Sequence, residues 1–501
     1  MEETVEKHRH DHQGRSTEKQ ADTSPAMDFQ SSHDRASIEA FPTATTPGYQ
    51  DTLQPPKTAL GTTDELHDDE IEYPEGGFQA WMVVVGAWCA MIPPMGILNT
   101  ISVLQGWLLQ NELKGVPESK AGWVSSCYAF FITTCGAQVG PIFDAFDIRV
   151  VLIPGSIGMI ASMIFLSLST GNQLRPAFHH QRSRAMVPLT LMAESEFYQM
   201  HLSLGVCGGI SAAFLFNPAL SAIGHWFCER RAFATGVACT AGGLGGISFS
   251  LIIQYLAPRI DFPWAMRIIA LISTGSLIIT NIFLRKRLPP KRKAKVLIDF
   301  RLLRDLQFGV AVVAIFFVEF AVFIPYSYIS SYAIEKGLGL QKSFLLNVLL
   351  NAGAIPGRML PGYIADRGGA FNTMCVTSLC CGVLILGLWL AAGDVDAKIM
   401  SFTTLFGFWS GAAISLSPVC ISRVCKIEDY GKSTGMAYFI ASFGALVGIP
   451  LAGFLLKTGS EPYRKLDLLR GGGVHGCICC ILRCQGHRGW LGTGVVLEEE
   501  S

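Results

Sequence analysis

The chain has 501 residues, half of them hydrophobic and 16% charged, against about 25% charged in an average soluble protein. With 52 glycines, 31 phenylalanines and a mean hydropathy of +0.37, this balance excludes a disordered protein and weighs against a soluble multi-domain enzyme. The 39 basic and 39 acidic side chains cancel overall, but residues 1–74 hold 16 acidic against 6 basic residues, so an acidic tail precedes a basic, apolar body.

That tail, residues 1–74, is rich in Ser, Thr, Asp, Glu and His and too poor in aliphatic residues to offset its ordering entropy, so it reads as disordered and cytoplasmic. The first 70 residues hold no sustained apolar core, and no signal peptide is expected. From Trp81 onward, apolar runs of about 20 residues recur, the length a helix needs to cross the hydrocarbon core. Within residues 75–284 they fall at 80–102, 121–140, 149–168, 200–222, 233–256 and 264–284, with a polar insert near 171–194. Within residues 308–457 they fall at 308–330, 342–364, 372–391, 398–422 and 434–457. The runs are continuous rather than alternating, which argues against a β-barrel. The expected fold class is an all-α integral membrane protein of two six-helix halves, with eleven clear spans and a twelfth absent or aberrant.

Residues 285–307 carry the densest positive charge, including Arg285, Lys286, Arg287, Lys291, Arg292, Lys293 and Lys295. The positive-inside rule puts this loop in the cytoplasm. Basic residues confined to gaps between apolar runs are membrane flanks rather than a groove for phosphates, so nucleic acid is not an expected partner. Residues 458–501 form an atypical tail without an 18-residue apolar run. Its cysteines, Cys477, Cys479, Cys480 and Cys484, include one C-x-x-C pair, Cys477 with Cys480, but a zinc site is not the expected reading. Most other cysteines lie inside apolar runs as small hydrophobes, so neither a disulfide framework nor a metal or cofactor is expected.

The two halves repeat. Gly140-Pro-Ile-Phe-Asp144 follows the second run and Gly362-Tyr-Ile-Ala-Asp366-Arg367 follows the eighth. Thr235-Gly236-Val237-Ala238 opens the fifth run and Thr434-Gly435-Met436-Ala437 opens the eleventh. Paired helical repeats of this kind are a plan of secondary transporters. Asp144 and Thr235 are 91 residues apart, Asp366 and Thr434 are 68 apart, and the 23 extra residues of the first half coincide with the polar insert.

Charges inside spans are costly and mark candidate pathways. Arg358 lies deep in the eighth run, seven residues after Asn351, and is a candidate anchor for an anion, since a guanidinium binds a carboxylate bidentately. Glu319, in the middle of the seventh run, is a candidate proton carrier. The plainer reading of both is a structural ion pair or interhelical hydrogen bond. Asn99, beyond Pro93-Pro94, Asn217, whose Pro218 is expected to interrupt the fourth run, Tyr326, next to Pro325, and Asn351 complete a candidate translocation path. At the cytoplasmic helix ends, Asp144 with Arg149, Asp366 with Arg367, and Arg230-Arg231 form a candidate gate, in which a carboxylate at a helix N-terminus and an arginine across the gap latch two helices. Ordinary topogenic charge is the alternative there.

Gly431-Lys432-Ser433-Thr434-Gly435 matches the short pattern of a nucleophile elbow, but a helix-length apolar run rather than a strand precedes it. Gly242-Gly243-Leu244-Gly245-Gly246 reads as a close-packing helix face rather than a dinucleotide loop. No enzyme activity is expected.

Two stretches are more specific. Tyr73-Pro74-Glu75-Gly76-Gly77-Phe78-Gln79-Ala80-Trp81 and Trp226-Phe227-Cys228-Glu229-Arg230-Arg231-Ala232-Phe233-Ala234-Thr235-Gly236 resemble the two signatures of the monocarboxylate porter family of the major facilitator superfamily, in its fungal branch. Leu215-Phe216-Asn217-Pro218, Gly357-Arg358-Met359-Leu360-Pro361-Gly362 and Ser415-Leu416-Ser417-Pro418-Val419 are similar to stretches of the same relatives. The resemblance covers roughly residues 71–457 and implies a twelve-helix rocker with a central cavity. It also implies a secondary active or facilitative transporter of a small organic solute, whether a monocarboxylate-like acid, a vitamin or a secondary metabolite. The alternatives are a membrane solute sensor and an efflux pump for a fungal secondary metabolite. The partners implied are the solute, the lipid bilayer and a proton as coupling ion; the membrane is the plasma membrane, with the vacuolar membrane as the alternative. Three positions depart from the family pattern. Asn99 stands where proton-coupled animal members have a lysine, Ala354 where they have an aspartate, and Asp147 where a glycine is usual in the loop after the second helix.

Overall fold

The computed structural model describes residues 73–111, 118–169, 197–289, 300–335, 337–389 and 396–457. Most of the acidic tail, the polar insert at 171–194, the middle of the basic loop and the tail after residue 457 lie outside the described residues, so the readings made of them have no structural counterpart.

Helices occupy all eleven apolar runs. They are α1 (Gly77–Asn111), α2 (118–145, two stretches meeting at Cys135), α3 (Arg149–Ser169), α4 (Phe197–Gly224), α5 (Arg231–Ile260) and α6 (Phe262–Phe283) in the first half. The second half has α7 (Leu306–Glu335), α8 (Leu340–Gly368), α9 (370–389), α10 (Asp396–Ser422) and α11 (Tyr430–Lys457). Eight are long and apolar enough to cross a membrane by length and composition. The other three are α2, broken at Cys135, α8, which carries Asn347, Asn351 and Arg358, and α11.

Two large apolar cores follow the two halves, the first also drawing in Phe323, Ile324 and Tyr438 of the second half. One is built on Met91, Ile97, Phe143, Met159, Leu215 and Phe249, the other on Val322, Ile329, Leu346, Phe402 and Phe406. The outer faces are apolar as well: Ile157 on α3, Leu271 on α6 and Val383 on α9 are all more than half exposed. Exposed aliphatic faces on long helices are solvated by acyl chains rather than water.

One sequence expectation fails here. Asn217-Pro218 does not interrupt α4; the helix runs through it, and the Asn217 amide donates to the Ala213 carbonyl one turn back (3.3 Å). Proline removes one N–H and leaves a carbonyl short of a partner, and in an apolar interior neighbouring polar groups tolerate that loss without a break. The irregular stretch of α4 is instead the π-helical turn His201–Gly208.

The halves meet along two seams related by the sequence repeat. In one, α2 lies against α11: added Cβ atoms at Gly140 and Gly435 would run into the carbonyls of Gly431 and Gly136. In the other, α8 lies against α5: added Cβ atoms at Gly362 and Gly236 would run into the carbonyls of Ala232 and Arg358. The repeat that aligns Gly140 with Gly362 aligns Gly136 with Arg358, and that which aligns Thr235 with Thr434 aligns Ala232 with Gly431. Each seam is therefore the other with the halves exchanged, and glycine at these points lets two backbones touch.

Candidate functional site

Between the halves α8 carries Arg358, 1% exposed. Its Nη1 donates to the Cys239 carbonyl on α5 (2.6 Å), while Nε and Nη2 have no hydrogen-bond partner. Gly242 makes room for it, since a Cβ there would collide with Arg358 Nη1 and Met95. The Gly242 carbonyl accepts from the Asn99 amide on α1 (2.8 Å).

A cavity of about 20 Å³ adjoins this group. Asn99, Thr133 and Phe216 of the first half and Glu319, Phe323, Tyr326, Arg358 and Tyr438 of the second border it. That is room for about one water, so this conformation is closed around its centre. Glu319 is 4% exposed, and no hydrogen bond or ion pair reaches its carboxyl among the described residues; the Tyr326 hydroxyl is likewise without a partner. Of the six residues singled out as a translocation path, the structure gathers Arg358, Glu319, Asn99 and Tyr326 around one space. The other two lie elsewhere. Asn217 sits between α4 and Gly136 of α2, and Asn351 is fully buried where α8 meets α1 and α5.

The second group of residues lies at the basic-loop end. Asp366, at the end of α8, accepts the backbone N–H of Ala232 (2.9 Å) and of Phe233 (2.8 Å) on one carboxylate oxygen each. Asp144, at the end of α2, accepts the Lys432 N–H (2.9 Å). These are the first turns of α5 and α11, and a carboxylate there satisfies N–H groups that have no partner within the helix and meets the positive end of the helix dipole. Both contacts cross between the halves, and the repeat superposes Phe233 on Lys432.

The arginines are arranged differently from the sequence expectation. Arg149 is exposed, and its own N–H is held by Asp147 Oδ1 (2.9 Å), so the aspartate in the unusual position caps α3. Arg367 is exposed and lies over the Tyr363 ring (4.3 Å). The Arg230 side chain is exposed. Arg231 alone is buried: Nε donates to the Phe227 carbonyl (2.7 Å) and Nη2 to the Gly224 carbonyl (3.2 Å), and its guanidinium lies 5.9 Å from the rings of both Tyr73 and Tyr430. It closes the end of α4 and bridges to the start of α11.

Three residues of this end are not among the sequence candidates. Glu75, with φ of 48°, accepts the N–H groups of Cys228 (2.6 Å), Glu229 (2.9 Å) and Arg230 (3.2 Å). Glu75 and Asp366 together thus receive five N–H groups around the start of α5. Lys286, from the basic loop, donates to the carbonyls of Phe143 (2.6 Å) and Asp144 (2.7 Å) and caps α2. Burial pushes its pKa down, opposed by Asp144 and Asp147. His225, 1% exposed beside Phe143, has no partner on either ring nitrogen. Burial first, then the charges of Lys286, Arg231 and Arg287, push its pKa down to about 3. The signal for Glu75 is its place in the opening signature, and for Lys286 the end of the sixth run; nothing in the sequence marks His225.

Gly431–Gly435 begins α11, packed on Gly136, Gly140 and Asp144, with the Ser433 side chain fully buried; this is a helix start, not a strand-to-helix elbow. Among the described residues no group of three or more His, Cys, Asp or Glu is placed to hold a metal.

The sequence model of the Major Facilitator Superfamily matches residues 86–449. The chain belongs to this superfamily. It is similar to the MFS transporter asaE of Aspergillus flavus, 31% identical over 85% of this chain and 90% of that one. It is also similar to the aspyridones efflux protein apdF of Emericella nidulans, 29% identical over 77% and 73% of the two chains. The riboflavin transporter of Saccharomyces cerevisiae is 27% identical over 79% and 75%. The protein is thus a multi-pass membrane transporter of the Major Facilitator Superfamily, two helical halves around a central cavity.

Proposed function

We propose that the protein exports a small organic acid of the secondary-metabolite class, holding its anionic group on Arg358 and passing it between faces by alternating closure of the two seams. The observation that carries this reading is the Arg358 guanidinium: fully buried at the half interface, beside the shared cavity, with Nε and Nη2 free of partners. Arginine stays charged in a protein, and a buried charge lacking acceptors gains most from a ligand that brings a bidentate anion. Phe216, Phe323 and Tyr438 around the same space suit an apolar or aromatic body. Export is favoured over uptake by the efflux function named for one relative, although another is named for riboflavin.

Glu319 is the proton carrier in this reading. It shares the cavity with Arg358 and has no ion pair among the described residues, and it stands in for the carboxylate that Ala354 replaces. The basic-loop end faces the cytoplasm by the positive-inside rule, so Asp144 and Asp366 close the inner face. The plasma membrane is the membrane that export requires.

The test uses the purified chain in proteoliposomes, with aspyridone, riboflavin and benzoate as radiolabelled probes. Saturable flux of an acid is expected, lost by at least about tenfold in Arg358→Ala and not restored by Arg358→Lys, which keeps the charge but not the fork. Flux of uncharged probes alone, insensitive to Arg358, would overturn the assignment of an acid. Acid flux in Glu319→Gln with an unchanged dependence on the pH gradient would remove the proton role.

A further inference from the structure

We infer that Asn347 is the clasp that closes the face opposite the basic loop, the counterpart of the two carboxylate caps at the other end. Asn347 lies on α8, eleven residues from Arg358 and on the side away from Asp366. It is 0% exposed, and its side-chain amide is fully used. Nδ2 donates to the Asn99 carbonyl on α1 (2.9 Å) and to Ser250 Oγ on α5 (2.9 Å), and Oδ1 accepts from Ser102 Oγ on α1 (3.2 Å). Every one of these partners belongs to the other half. A side chain that merely stabilised α8 would bond within its own half, as Ser410 and Thr403 do on α10.

The surroundings support a separable contact. Asn351, one turn nearer Arg358, also reaches the Asn99 carbonyl (3.3 Å), and Gln254 on α5 reaches the Gln341 carbonyl (3.2 Å) one to two turns nearer the helix end. All are neutral hydrogen bonds, which break without exposing an uncompensated charge. The α5–α8 seam is thus joined twice. At the basic-loop end Asp366 binds the first turn of α5, and at the opposite end Asn347 binds α5 and α1. For a solute to reach Arg358 from the far face, the Asn347 bonds break while the caps hold; from the basic-loop face the order reverses. Asn347 is a positioning residue, since it does not border the cavity.

The experiment places a reporter at Leu98→Cys, a cavity-lining position 8% exposed, in the full chain, in sealed membrane vesicles of each orientation. A membrane-impermeant maleimide is the probe, and mass spectrometry of the peptide containing position 98 separates this thiol from the native cysteines. Asn347→Leu is expected to raise the labelling rate from the face opposite the basic loop by roughly tenfold and to lower it from the other face. The paired change Ser102→Ala with Ser250→Ala, which removes two partners and little volume, repeats the shift if Asn347→Leu does not fold. Equal rates from both faces in the parent and in folded variants would sink the clasp while leaving alternating access intact. Labelling from neither face in any variant would sink both.

Discussion

His225 is a buried imidazole with no acceptor for a proton's worth of charge and three cations around it: Lys286, Arg231 and Arg287. Its pKa is about 3 in the folded chain against about 6.5 when exposed, so the unfolded chain binds the extra proton between those values. Stability attributable to this residue is complete above pH 6.5 and falls as the pH drops toward 3, by about 2 kcal/mol at pH 5. A melting series in detergent from pH 7 to pH 5 is expected to show that fall, and His225→Phe to flatten it with little loss at pH 7, because both nitrogens are unbonded already. An unchanged slope in that variant would show the acid sensitivity to lie elsewhere. At this scale the sequence was an uneven guide. Arg358 and Glu319 stood out because a charge in a 20-residue apolar run has few explanations. Glu75, Lys286 and Asp366 act instead on backbone N–H and carbonyl groups, which every residue possesses and no residue letter displays. The same blindness hid that Asp144 and Asp366 take backbone N–H groups in the first turns of α11 and α5, while Arg149 and Arg367, their neighbours in sequence, are exposed.

Among the helices, the close approach at the seams has a direct consequence. Gly435→Ala sets a methyl against the Gly136 carbonyl, and Gly236→Ala sets one against the Arg358 carbonyl. Neither partner is a movable side chain, so each change is expected to weaken the closed seam by about 1–3 kcal/mol, the usual range for overpacking. Gly275→Ala is the control: it lies on the exposed face of α6 with nothing within 4 Å, and alanine is favoured there by about 0.5–1 kcal/mol for helix propensity alone. Thermal unfolding of the three variants separates the cases; a neutral Gly435→Ala would mean the seam is not tightly closed in the bilayer. The positions of the eleven helices were legible from run length, and the exchange symmetry of the seams from Gly140, Gly362, Gly236 and Gly435. The helix through Asn217-Pro218 was not, because proline's local preference is overridden where α4 is packed on both sides.

For the whole molecule, two sets of contacts bias one equilibrium in opposite directions. Loss of Asp366 uncovers two N–H groups at the start of α5 and loss of Asp144 one at the start of α11; a capping residue, however many N–H groups it takes, is worth about 1 kcal/mol, roughly a fivefold shift. Asp144→Ala and Asp366→Ala are therefore each expected to raise labelling of the position-98 reporter from the basic-loop face about fivefold, and together roughly 25-fold, since independent contributions to one equilibrium add as free energies. Asn347→Leu pushes the other way. Combined with Asp366→Ala it should return the ratio of labelling from the two faces toward that of the parent while raising both rates, because both closures are loosened. A purely structural defect predicts otherwise: two destabilising changes would compound into loss of folded protein, with no restoration of the ratio. Measuring that ratio in the single and double variants tests whether α5 and α8 form one lever held at both ends.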